Sequence, residues 1–162
     1  MTLIRLGTVA VLVTLLLCIT SCNRLNGILH GPKPSQVVDL PSMIGKSSEE
    51  ISKIVGVQPY KDDSMVVDWD LPEGRLAVFK EKNGDTSFIS YSLNEAYSGF
   101  ASSAEMAALV NVDVQRQKPE EDRNGNHSYK HVSASGKTFS LVIERNRSGF
   151  FDVRISGFGI GG

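Results

Sequence analysis

The chain starts a helix twice in the same way. Ser47-Ser48-Glu49-Glu50 precedes Ile51, Ile54 and Val55, and Ser102-Ser103-Ala104-Glu105 precedes Met106, Leu109 and Val110. In each, the first serine can accept from a backbone N–H one turn in, while the glutamate reaches back to the serine's own N–H. The apolar residues behind each start are spaced i, i+3 and i+4, which is one helix face. Gly56 and Asn111 then occupy the matching stop, where a left-handed conformation is tolerated. Two short helices with the same start, face and stop must bury their stripes against something that is itself repeated.

That something reads as strand. Met65, Val67 and Trp69 alternate with Val66, Asp68 and Asp70, and the matching stretch holds His127, Tyr129 and His131. Gly74-Arg75 and Gly136-Lys137 open the next strands, in which Ala77 and Phe79 correspond to Phe139 and Leu141 on one face. Ile89, Tyr91 and Leu93 then correspond to Phe151, Val153 and Ile155, again at the period of 2 that marks a half-buried strand. Asn83-Gly84-Asp85 and Arg145-Asn146-Arg147-Ser148-Gly149 supply the hairpin turns. The helices recur 55 residues apart and the strands 62, the difference being a charged stretch around Gln117 to Asn126 that reads as an exposed loop. The expectation is an α+β domain: a tandem α-β-β-β repeat, residues 43–95 and 98–158, forming an antiparallel sheet of about six strands. Both helices should pack on one face and leave the other solvated or in use.

The amino terminus has the parts of a secretory signal. Arg5 precedes a run from Val9 to Ile19 that is nearly all apolar, and Ile19-Thr20-Ser21-Cys22 closes it. The apolar run is about a dozen residues, short of the roughly 20 a membrane-spanning helix needs. Ile19-Thr20-Ser21-Cys22 resembles the lipoprotein signal of bacteria, which implies cleavage between Ser21 and Cys22 and acylation of Cys22. Residues 1–21 are then the signal peptide, and residues 22–41, with Asn26-Gly27 and Gly31-Pro32-Lys33-Pro34, read as a flexible tether. Residues 42–160 form a single domain. Cleavage would remove Cys18 and leave Cys22 alone, and a lone thiol in an oxidising compartment is accounted for by acylation. Two or three acyl chains give stable membrane attachment. Asn23 after the cysteine leans towards the outer rather than the inner membrane, by analogy with two-membrane bacteria.

The segment Met43-Ile44-Gly45-Lys46-Ser47 through Gly56-Val57-Gln58-Pro59, then Trp69, Gly74-Arg75-Leu76 and a last strand near Leu93, is similar to a known domain. It resembles the one shared by small outer-membrane lipoproteins of the SmpA/OmlA type and the β-lactamase inhibitor protein, over residues 43–93 and more faintly over 98–157. The resemblance implies a capped helix followed by a curled antiparallel sheet, and a role in envelope scaffolding or protein inhibition without catalysis.

The chain's chemistry is sparse. His127 and His131 are four apart, a zinc spacing on a helix but about 13 Å on a strand, and no cysteine supplies a third ligand; no metal or cofactor is expected. Asp68 and Asp70 flank Trp69 on one side of a strand and read as solvated charges that discourage edge pairing. Glu120-Glu121-Asp122-Arg123-Asn124-Gly125-Asn126 lacks the glycine position and terminal glutamate of a calcium loop. No Gly-x-Ser-x-Gly elbow and no phosphate-cradling loop is present. A formal net charge of −1 gives no basic field for nucleic acid.

Two functions remain in view. One is a lipid-anchored envelope module that binds a protein partner through its open sheet face. Asp68, Asp70, Arg75, Lys130, Phe150 and Arg154 are the candidates, because they alternate with the expected core. The other is a small extracytoplasmic hydrolase or metal-dependent enzyme with a site across the two repeats, which would need convergent polar groups in a pocket. The first reading is favoured, since no constellation of the kind active sites need is visible.

Overall fold

A computed structural model describes residues 32–35 and 38–160, the side chains of the last two excepted. The fold below is that of the unit Lys33–Gly162. Cys22 and the apolar run before it lie outside the described residues.

Both capping boxes form. Ser47 Oγ accepts from Glu50 N at 3.2 Å while Glu50 Oε2 accepts from Ser47 N at 2.8 Å, starting helix α2 (Ser48–Val55) behind a single turn, α1 (Leu40–Met43). Ser102 and Glu105 repeat the exchange at 3.2 and 3.1 Å and start α3 (Ser103–Leu109). Gly56 and Asn111 end the two helices at φ of 77° and 61°, the left-handed stop that their residue types suit.

Four strands follow each helix. After α2 come β1 (Lys61–Asp62), β2 (Val66–Leu71), β3 (Gly74–Lys80) and β4 (Thr86–Leu93). After α3 come β5 (Glu120–Glu121), β6 (His127–Ala134), β7 (Lys137–Asn146) and β8 (Gly149–Ile160). All eight join one antiparallel sheet in the order β1-β2-β3-β4-β8-β7-β6-β5. The order reads the same from either end, repeat against repeat. The two copies meet along β4 and β8, where Ile89 pairs with Ile155 and Tyr91 with Val153. The outermost strands are two residues long, which leaves little edge to template further pairing.

This overturns the expected α+β domain of six strands and two helices. The molecule is dominated by a single eight-stranded antiparallel sheet, and its helices are few and short. The additional strands are β1 and β5, each too short to show a period of 2. β5 also lies inside the charged stretch read as a loop.

The core sits on one side of the sheet. Val67, Trp69, Leu76, Val78, Ile89 and Tyr91 from the first repeat join Tyr129, Phe139, Leu141, Ile143, Val153 and Ile155 from the second, all buried. The helices close this side: Ile51 and Ser52 of α2 and Met106, Ala107 and Leu109 of α3 are buried. Ser52 Oγ takes the indole N–H of Trp69 at 2.9 Å, so the largest core side chain keeps its hydrogen bond while fully buried.

Four sequence expectations are corrected here. In β3 the core face is Leu76 and Val78, with Ala77 and Phe79 on the opposite side. Both parities of Leu76-Ala77-Val78-Phe79 are apolar, so alternation alone could not choose between them. Ile54 is 46% exposed rather than part of a buried stripe, because α2 turns Ser52 inward to Trp69 instead. His131 does not pack where Trp69 packs: a bulge between Tyr129 and Val132 leaves it exposed at φ 56° while Val132 takes the core position. Residues 38–41 belong to the folded unit and not to the tether expected over 22–41, of which residues 22–31 lie outside the described residues. Val38, Leu40 and Pro41 are buried, Val38 N donates to Leu109 O at 2.9 Å, and Ser35 bonds Glu73, so the folded unit begins near Lys33.

Candidate functional site

The side of the sheet opposite the helices carries the alternates of the core residues. From β2 these are Asp68 and Asp70, from β3 Arg75, Ala77 and Phe79, and from β4 Phe88, Ser90 and Ser92. From β8 come Asp152 and Arg154, and from β7 Glu144. Strand register brings them together: Asp68 stands opposite Ala77, Ala77 opposite Ser90, Ser90 opposite Arg154, and Ser92 opposite Asp152. At the centre lies a depression of about 220 Å³ between Arg75 and Arg154, floored by Ala77, Ser90 and Ser92.

Small residues on the floor and large ones around it explain the hollow. Phe79 and Phe88 stack at 4.1 Å between ring centroids, and the Arg154 guanidinium lies 4.7 Å above the Phe88 ring. Opposite them, Arg75 grips Asp68 through Nε at 3.2 Å and Nη2 at 2.6 Å, a two-point contact that fixes the plane of the guanidinium. Arg75 also lies 5.7 Å from the Tyr60 ring, and Asp68 is 0% exposed. The Asp68 hydrogen bond, with burial opposing it, raises the Arg75 pKa above its usual value. Asp68 is thus a buried ion of a pair, not a solvated surface charge; the reading of it as solvated is corrected.

Asp152 is the unusual member. It is 8% exposed; one carboxyl oxygen accepts a very short bond from Ser92 Oγ, and the other, Oδ1, is buried with no partner. Burial raises its pKa first, the Ser92 bond pulls it back, Glu144 adds to the rise, and Arg154 opposes it. Arg154 reaches Glu144 at 3.3 Å through Nη2, yet its Nε is also buried without a partner. A buried polar group left unpaired costs about 1–3 kcal/mol. Two of them lie two residues apart on one strand, on the side of the sheet that the helices leave free.

Of the six residues named from sequence, Asp68, Asp70, Arg75 and Arg154 lie on this face. Lys130 is exposed near the β5 edge and bonds Glu120 at 2.9 Å. Phe150 does not belong here: it is 2% exposed, in the core, 4.7 Å from the His127 ring. The cause is a bulge at Phe151, since Glu144 pairs with Asp152 but Arg145 pairs with Phe150, and the extra residue reverses the alternation. Sequence reasoning passed over Asp152, Ser92 and Phe88. Their signal was present, because Phe88-Ser90-Ser92 and Asp152-Arg154 interleave with Ile89-Tyr91-Leu93 and Val153-Ile155.

The described residues hold one other polar cluster with catalytic residue types. Ser103 Oγ lies 2.6 Å from His127 Nδ1 and 2.7 Å from Tyr129 OH, and His127 Nε2 is 3.8 Å from Glu121 Oε2. A serine, a histidine and a carboxylate in a row resemble a nucleophile with its base. However, Ser103 is 4% exposed and both neighbours of its hydroxyl, His127 and Tyr129, belong to the sheet. The cluster does for α3 what Ser52 and Trp69 do for α2: it ties a helix to the sheet. The acidic loop is likewise self-satisfied, with Asp122 accepting from Asn124 N, Asn126 N and Asn126 Nδ2. No family model, curated protein or solved structure matches the chain.

Proposed function

We propose that this chain is a lipid-anchored lipoprotein of the bacterial cell envelope that binds another envelope protein through the outer face of its sheet. Acyl chains on Cys22 attach it to the membrane, the outer membrane in preference to the inner, and the sheet presents the hollow between Arg75 and Arg154. The observation that carries the reading is the pair of buried, unpartnered groups on that face, Asp152 Oδ1 and Arg154 Nε. Groups of this kind are tolerated when a partner supplies the missing bonds, and the stacked rings of Phe79 and Phe88 add apolar area beside them. The resemblance of residues 43–93 to envelope scaffolds and a protein inhibitor supports the same role.

The test is capture from detergent-solubilised envelopes, using the mature chain, its Cys22→Ala form and an Ala77→Arg form. Ala77→Arg fills the hollow from its floor without touching the core side. The expected outcome is that one envelope protein is recovered with the mature chain, and that Cys22→Ala abolishes membrane retention. Ala77→Arg should lose the partner while retaining its fold by circular dichroism. Equal capture by Ala77→Arg would refute the use of this face.

A further inference from the structure

We infer that the hollow is a socket for a basic side chain of the protein partner, a lysine or arginine whose charged end bonds Asp152 Oδ1. The inference rests on the proposed use of this face and specifies the chemistry of what enters it. Three observations converge. Asp152 is more than nine-tenths buried, lines the hollow, and has one oxygen already engaged by Ser92 and the other free of any donor. The face is acidic: four carboxylates, Asp68, Asp70, Glu144 and Asp152, surround two guanidinium groups. Those two cations are already committed, Arg75 to Asp68 and Arg154 to Glu144, so neither saturates Asp152. The walls suit a long aliphatic stem, since Phe79 and Phe88 lie along one side and Ala77 and Ser90 form the floor. A main-chain carbonyl of the same partner loop can satisfy Arg154 Nε.

Entry of a cation favours the ionised carboxyl, so the bound state has a lower Asp152 midpoint than the free one. The groups that face this carboxyl are Ser92 on β4, Glu144 on β7 and Arg154 on its own strand, with Arg75 across the hollow. Of these, Ser92 lowers the free midpoint, Glu144 raises it and Arg154 lowers it, against the larger rise from burial. Affinity should therefore fall as the solution is acidified, by about tenfold per pH unit between the free and the bound midpoint.

The experiment follows the Asp152 carboxyl carbon by NMR in the intact folded chain. Four probes are titrated in: Nα-acetyl-lysine methylamide, the arginine counterpart, the norleucine counterpart and the glutamate counterpart. The two cationic probes are expected to lower the Asp152 midpoint saturably and to shift resonances of Ser92, Phe88 and Arg154. The norleucine and glutamate probes should do neither, and Asp152→Asn should remove the response while keeping the spectrum of the folded chain. An equal response to norleucine or glutamate, or an unmoved Asp152 midpoint up to the solubility limit of the cations, would overturn the socket. The two readings fail separately. Loss of the partner by Ala77→Arg with no response to the cationic probes would keep the face and overturn the socket, whereas cationic probes that bind while Ala77→Arg still captures the partner would leave only a cation-binding hollow and overturn the partner's use of the face.

Discussion

Asp152 is held at a cost to the fold. Burial disfavours its charged form, and only the Ser92 hydroxyl and the Arg154 charge work against that. Its folded midpoint lies above the unfolded one, so the folded state holds the proton more tightly between the two. Stability is then lost as pH rises through that interval and levels off above the folded midpoint. Replacing Asp152 by Asn keeps a partner for Ser92 and removes the titration. Thermal unfolding across a pH series should show Asp152→Asn gaining on the parent as pH rises and matching it in acid. A constant difference at all pH values would mean the carboxyl is not titrating in that range. At this scale much was legible in the chain. The paired serines and glutamates at 47–50 and 102–105 announced their hydrogen bonds, because a capping box is local. Asp152 was not legible, since nothing in Phe151-Asp152-Val153-Arg154 says that Ser92, sixty residues earlier, will stand opposite it.

Elements depend on where strands cross closely, and Gly74 marks such a place. A β-carbon built there would lie 2.5 Å from the Ser92 carbonyl oxygen and 2.6 Å from the Tyr91 hydroxyl. Ser92 is backbone in the neighbouring strand, and Tyr91 is fully buried, so neither yields easily. Gly74→Ala should destabilise the fold by at least the 1–3 kcal/mol typical of overpacking, measured by urea unfolding. It should also weaken the Ser92–Asp152 bond by displacing β4. A neutral effect would mean that β3 and β4 can separate without loss. Strand existence was read correctly wherever one face was clearly apolar, as in Ile89-Tyr91-Leu93. Which face is buried is not legible where both faces are apolar, as in β3, or where a bulge resets the phase, at His131 and at Phe150. A bulge is an extra residue in one strand counted against its partner, so the alternation of one strand alone cannot announce it.

As a whole, the molecule is two copies of a helix and four strands joined at β4 and β8 into one sheet. The duplication was legible because it rests on shared caps and turns. The number of strands was not, because β1 and β5 contribute only a rung or two each. This architecture uses one side for the core and leaves the other with its acidic rim, stacked rings and unpaired buried groups. On the proposed function, this second side is where the partner binds. Photo-crosslinking from single positions in living cells tests this, with a benzophenone side chain at Phe79 or Asp70 compared against the same group at Lys53 or Ala108 on the helices. One discrete adduct is expected from the sheet positions, lost when Asp152 is replaced by Asn, and none from the helices. An adduct from the helix positions alone would place the working surface on the opposite side and contradict it.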